Sequence, residues 1–487
     1  PLGFGRGLPV LVNWALGFKC DCPDKTEAWS LAFPVVYYKR PVTNWAPHKD
    51  KERTSGVNDH NGGSSLSSTV KRHLKNLESL NPRQRSHAAG ELGKYKEARD
   101  HVVPALIKSL EEDVNTYVRT AAAESLGYLG DERATFPLMD ALRDSCSFVR
   151  RAAAIALGQL HAKEAQVALL HALDDSNYYV RRAAVNAIGK LEIPDLGNAL
   201  VPLLDTDDPR VRRTTITALQ RLGYHEAVPA LIEMLSAYLE QPSKRDLPVV
   251  KTLVIALGKM QAEEAVPVLT RVLCGYVGSR SIAAKALGRI GDLTAGPALV
   301  EVLRARSAGL RLAALRSLRE LRYTEAIPHV REFLESPDPR LRREAALTAA
   351  RLGDETAVSY LLKMAREDAS PLARPAAVEA LGYVKDADVL HQLLPLVEDV
   401  NAYVRAALSP TLVALYDGSS EVRTALTILS EDKVHHVAAA AQEALAELEA
   451  KISEERLVAE AAVASRTAQP SLLEREFGWL QKLLHGD

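Results

Sequence analysis

The chain has 487 residues, 47% hydrophobic and 25% charged, and its 61 Lys and Arg against 62 Asp and Glu leave a formal charge of −1. Such a composition buries a core, which excludes a disordered tail protein and a membrane channel, and no global field draws the chain onto nucleic acid or membrane. Four cysteines exclude a small disulfide-built secreted domain and fit an intracellular, reducing compartment, while aromatics at 5% favour helix over a sheet sandwich.

Residues 1–65 do not repeat anything downstream. They hold Trp14, Trp29 and Trp45 among frequent Gly and Pro, a mixture that suits neither a regular helix nor an aromatic-poor solvating tail. The segment reads as an extended arm with Trp14, Trp29, Tyr37, Tyr38 and Trp45 as anchors for a groove, tethered by a flexible Gly-Ser linker near residues 58–68. A second reading is a processed terminus or fragment, since the chain begins at Pro1 without Met. The apolar run at residues 8–18 is too short to span a bilayer.

From residue 66 to 449 one phrase recurs. Val118-Arg119-Thr-Ala-Ala-Ala-Glu-Ser-Leu126-Gly127 returns as Val149-Arg150-Arg-Ala-Ala-Ala-Ile-Ala-Leu157-Gly158 and again from Val180 to Gly189. Aligned on the arginine, the anchors are Arg85, Arg119, Arg150, Arg181, Arg212, Val250, Arg280, Arg311, Arg342, Arg374 and Arg405. Each unit of about 31 residues reads as two helices that cannot bury an apolar face alone and must stack on their copies. The second helix carries a small residue three positions after the anchor, as at Ala88, Ala153 and Ala345, on one narrow contact stripe. Gly recurs eight positions after the anchor, which predicts close backbone approach between neighbours, because Gly inside a helix costs about 1 kcal/mol against Ala. The first helix has the form Ala-x-Pro-Ala-Leu, with Pro tolerated in its first turn. The expected fold is therefore all-α: an α-solenoid of about 11–12 units forming one extended domain, its arc on the order of 100 Å long.

Asp113, Asp144, Asp175, Asp368 and Asp399 each lie six residues before an anchor. With Arg119, Arg150, Arg181, Arg212, Arg280, Arg311, Arg342, Arg374 and Arg405 they predict a structural ladder that caps second helices and ties adjacent units. Val250 breaks it just after an insertion at residues 236–248, rich in Pro and charge, which reads as a bend or a partner-binding loop. The exposed side of the second helix falls at anchor plus one, plus five and plus nine. Those positions supply Arg151, Arg182, Lys190, Arg213, Arg221, Lys251, Lys259, Lys285, Arg289, Arg316, Arg343 and Arg351, against Glu124, Glu320 and Glu379. The expectation is a basic concave groove through the middle units that takes an acidic partner, set off by acidity elsewhere. The stripe has no interleaved aromatics for base stacking, which makes nucleic acid the weaker ligand. At the C-terminal end, residues 434–448 read as a decayed repeat, and an acidic helix at 443–462 opens a cap and tail over 450–487.

The Val-Arg-x-x-Ala-Ala-x-Ala-Leu-Gly phrase resembles HEAT repeats, in particular the short type named after phycobilisome lyases, across residues 70–449. The resemblance implies an α-solenoid and leaves activity open, because the family spans bilin lyases, an iron hydroxylase and many scaffolds. A diiron hydroxylase would need His-Glu pairs repeated on inner helices, whereas His225-Glu226 stands once, in a connector. Cys20-Asp-Cys22 is too closely spaced for a zinc loop and has no second pair, and no phosphate loop or nucleophile elbow occurs. The reading is a non-enzymatic protein-binding scaffold with no cofactor and no metal, the arm serving as a second contact. A bilin lyase or its accessory subunit is the first alternative, and binding of a phosphate backbone the second.

Overall fold

A computed structural model describes residues 66–275, 278–384 and 387–467, and all regular structure among them is helical. The chain forms two units, one ending at Val180 and the other beginning at Arg181. The arm anchors Trp14, Trp29, Tyr37, Tyr38 and Trp45, like Cys20 and Cys22, lie outside the described residues.

Both units are built from the helix pair that the period implies. In the first, Arg99–Glu112 pairs with Thr116–Leu129, and Thr135–Ala141 with Ser147–Gln159. In the second, Val266–Gly275 pairs with Arg280–Ile290, and Val358–Glu367 with Ala373–Leu381. The local causes are visible at the helix ends. Asn115, Asp208, Asp338 and Asn401 each accept the N–H two residues on, which caps a second helix. Gly130, Gly223 and Gly353 end second helices in the left-handed region, where a side chain is strained. Most first helices open with a short 3₁₀ turn whose alanine is buried, as at Ala134, Ala227 and Ala326.

Within each unit the second helices pack against one another and against their own first helices, while successive first helices barely touch. The second helices thus form the closely stacked layer. Ala88, Ala122, Ala153, Ala184, Ala283, Ala314, Ala345 and Ala377, each three residues after an anchor, are fully buried in it. The recurrent glycine has its steric reason here. A Cβ on Gly189 would lie 2.8 Å from Ala218 Cα, and one on Gly258 would lie 2.7 Å from Ala286 Cα. Hydroxyls at anchor plus six add a second tie: Ser125 Oγ donates to Ala89 O at 2.8 Å, Ser317 Oγ to Ala284 O at 2.8 Å, and Thr348 Oγ1 to Leu315 O at 3.2 Å.

Two segments differ from the sequence reading. The insertion is partly helical: the first helix Val228–Glu240 runs into it, and a turn over residues 241–246 separates it from the second helix Leu247–Lys259. Residues 434–448 and the acidic segment after them are one continuous helix, His435–Thr467, because neither Gly nor Pro interrupts it. Its buried face is Val437, Ala441, Ala444 and Leu448; past that point Leu457 and Val458 are exposed.

Candidate functional site on the second helices

The anchor arginines are structural where the ladder is complete. Arg119 Nε donates to Asp144 Oδ2 at 2.7 Å and Nη2 to Asp144 Oδ1 at 2.9 Å, while Nη1 donates to Asp113 O at 2.9 Å. One guanidinium therefore joins the Asp of the next repeat to the carbonyl that precedes its own helix. Asp144 Oδ1 also accepts Cys146 N at 2.7 Å, so the carboxylate fixes the turn that leads into the helix Ser147–Gln159 as well. Arg85 with Asp113, Arg150 with Asp175, Arg342 with Asp368 and Arg405 with Asp432 repeat the arrangement, while Arg374 also reaches Asp399 but turns its Nε to Ala365 O. Burial pushes the Asp113 carboxyl up, but the Arg85 fork and the Asn115 N–H outweigh it and hold the carboxyl below its ordinary value.

At Arg212, Arg280 and Arg311 the anchor meets other partners. Arg212 donates to Thr206 O at 2.6 Å and to the Tyr238 hydroxyl, which the insertion supplies. Arg280 Nε donates to Leu273 O at 2.7 Å. Arg311 lies 5.9 Å from the centre of the Phe333 ring, with its buried Nε unpartnered. Val250 replaces the arginine with a fully buried apolar contact.

Part of the basic stripe is gathered around one buried carboxylate. Glu344, almost fully buried, accepts Arg316 at 2.8 Å and Arg319 at 3.4 Å, with Arg343 at 3.8 Å. Arg316 is held above its ordinary pKa by that hydrogen bond. Arg351 lies over the Tyr383 ring at 5.0 Å. In the first unit half-buried Arg151 stands near Glu124, whose carboxyl burial pushes up although Arg151 pulls it down. Solvent reaches Glu124, but the crowded second-helix layer leaves it poorly hydrated.

The second unit opens differently. The repeats anchored at Arg181, Arg212, Val250 and Arg280 carry Arg182, Asn186 and Lys190; Arg213, Thr217 and Arg221; Lys251, Ile255 and Lys259; then Ser281, Lys285 and Arg289. Every charge among these positions is positive. Arg213, Arg221, Lys259, Lys285 and Arg289 are exposed, and Arg182, Lys190 and Lys251 are half-buried. Arg182, Arg210, Arg213, Asn186, Thr214, Thr217 and Thr252 surround an open cup of about 420 Å³. The sequence reading missed Arg210, Thr214 and Thr252, because they fall two residues before or after the anchor, outside the assumed stripe. The recurrence of Thr at anchor plus two in adjacent repeats was the available signal.

The cup's polar groups have defined roles. Thr214 Oγ1 donates to Arg210 O at 2.8 Å, Thr217 Oγ1 to Arg213 O at 2.9 Å, and Thr252 Oγ1 to Pro248 O at 2.8 Å. Each hydroxyl proton is spent inside its own helix, so the oxygen faces outward as an acceptor. Arg221 donates to Asn186 Oδ1 at 3.0 Å, which leaves the Asn186 amide N–H groups as donors. The cup thus presents cations, acceptor hydroxyls and a donor amide side by side. His225 and Glu226 sit in the 3₁₀ connector His225–Ala227, both exposed, and no cluster of His, Cys, Asp and Glu suited to a metal ion occurs among the described residues. No described helix is long and apolar enough to cross a membrane.

A family model for HEAT repeats matches residues 70–158, 103–176, 166–238, 296–381 and 359–446, and one for the PBS lyase HEAT-like repeat matches residues 279–305. No curated protein sequence matches the chain. Among solved structures, Kap95p binding RanGDP is 14% identical with a TM-score of 0.54, over 81% of this chain and 65% of that one. The Kap95:Nup1 complex is 13% identical with a TM-score of 0.56, over 78% of this chain and 64% of that one. The chain thus spans less than two thirds of the Kap95 chains, and at these identities the likeness shows the fold alone. The complex of CpcE and CpcF of phycocyanin lyase from Nostoc sp. PCC7120 is 24% identical over 61% of this chain and 100% of that one, but a TM-score of 0.26 carries no argument.

Proposed function

Because the chain belongs to the HEAT-repeat family, whose fold fixes no single chemistry, we propose that it is a non-enzymatic scaffold that binds an acidic protein partner on the second helices of its second unit. The observation that carries this reading is the run of cations from Arg182 to Arg289, with no acidic residue at the equivalent positions of those repeats. A neutral protein that gathers one sign of charge on one face focuses field there and raises the encounter rate with the opposite sign. The repeats beyond it supply the contrast, since Glu344 already neutralises Arg316. The aromatic arm of residues 1–65 is assigned as the second contact, which multiplies affinity through effective concentration.

Simultaneous Arg182→Glu, Arg213→Glu and Lys251→Glu replacement tests the proposal. The expected result is loss of the partners that the native chain retains from its own cells, with the helical circular dichroism unchanged. Lys363→Glu, on the exposed side of a first helix, serves as the control and leaves binding intact. Unchanged retention by the triple variant refutes the assignment of the face.

A further inference from the structure

The cationic face has a period of its own, and it restricts the shape of the partner. The second helices stack closely enough that Gly189 meets Ala218 and Gly258 meets Ala286 backbone to backbone, which sets neighbouring helices about 8–10 Å apart. Arg182, Arg213 and Lys251, one per repeat, therefore stand at roughly that interval along the stack. A chain in the polyproline II conformation rises about 3.1 Å per residue with three residues per turn, so its side chains return to the same side every 9.3 Å or so. A β-strand puts residues three apart on opposite faces and misses this register. An acidic α-helix with charges seven residues apart comes near the same interval, at about 10.5 Å.

The polar floor decides between the helix and the polyproline segment. Thr214, Thr217 and Thr252 face the cup as acceptors and the Asn186 amide faces it as a donor. An α-helix has already paired its backbone groups and has nothing to offer them, whereas polyproline II leaves every N–H and C=O unpaired. The same acceptors disfavour a bare phosphate, whose oxygens would meet hydroxyl lone pairs. We infer that the face binds an acidic peptide segment in the polyproline II conformation, with carboxylates three residues apart on the arginine and lysine column and backbone N–H groups on the threonine oxygens. This inference rests on the acidic-partner reading and adds conformation and register to it.

Fluorescence anisotropy with the purified full chain tests it. The probes are labelled peptides of equal length, each with the same number of Glu, spaced three residues apart in one and two residues apart in the other and completed with Ala and Pro, together with a labelled single-stranded oligonucleotide. The expected result is that the period-three peptide binds about tenfold tighter than its isomer and more tightly than the oligonucleotide. Combined Thr217→Val and Thr252→Val, which keeps every charge, is expected to weaken the period-three peptide about tenfold, as for two lost hydrogen bonds. Equal affinity for the two peptides, indifference to the threonine change, or preference for the oligonucleotide each overturns the inference. If both peptides bind equally and charge reversal abolishes both, the register falls while the acidic-partner reading stands. If neither peptide binds and partner retention survives charge reversal, both fall.

Discussion

Removing one rung of the Arg–Asp ladder should cost far more than removing an arginine where the ladder has lost its acid. In Arg119→Met the chain gives up two hydrogen bonds to Asp144 and one to Asp113 O. Both charged side chains are only 13% exposed, so the abandoned carboxylate stays poorly hydrated. A pair of this burial broken from one side costs about 3 kcal/mol, most of it the uncompensated charge. Arg311→Met instead removes a ring contact of about 0.5–1 kcal/mol and also removes an unpartnered buried Nε. Because a solenoid's stability is close to a sum of repeat and neighbour terms, the Arg119 loss should be local. Hydrogen exchange should show protection falling in the helices Pro82–Leu92, Thr116–Leu129 and Ser147–Gln159. Replacing Asp144 by Leu alongside Arg119→Met should recover more than half of the loss, since no charge is then stranded. Equal urea-midpoint shifts for Arg119→Met and Arg311→Met, or no recovery in the double variant, would refute the reasoning.

Two further outcomes follow from the packing and the titrating groups. Gly189→Ala, whose Cβ has only 2.7 Å to Ala218 Cβ, should lower thermal stability by about 1–3 kcal/mol, whereas Gly90→Ala, with open space around it, should raise it by about 0.5–1 kcal/mol; the reverse order in a melting experiment contradicts the close-approach account. Burial and then Arg72 hold the His73 imidazole below its ordinary 6.5, with His87 and Lys94 adding to the shift and Glu91 opposing it. The folded ring refuses a proton that the unfolded chain accepts, so the first repeat should lose stability as pH falls below 6.5. The ladder carboxylates Asp113, Asp368 and Asp432, held low in the fold, stabilise the chain above the unfolded value and should fail only below about pH 3.9. Hydrogen exchange across the helix Pro82–Leu92 should register both steps, since Arg85 ties it to Asp113, and a single step near pH 4 would exclude the histidine's part.

The repeat was legible because its determinants are local and periodic. Small residues at anchor plus three and glycine at anchor plus eight mark contact between copies, and a contact repeated along the chain leaves its spacing in the sequence. The arginine ladder was legible for the same reason, as a pairing of residue types at a fixed interval. The Tyr238 hydroxyl on Arg212 was not, because it comes from the insertion and obeys no period. The continuous helix His435–Thr467 was misread as two pieces because the repeat pattern fades before the helix does.

Charge shows where the division falls. The amino-acid sequence by itself determined that this is a two-helix repeat protein, which helix carries the cations and at which positions. It could not say which of those cations are already answered. Glu344 lies directly beside Arg343 in the chain, yet its carboxylate gathers Arg316 and Arg319 from the preceding repeat. Tertiary structure alone brought that neutralised cluster together, and gathered Arg210, Thr214, Thr217 and Thr252 around one cup. The physical reason is that ion pairing and the grouping of side chains from different repeats depend on distances between stacked repeats, and a charge count along the chain contains no distances.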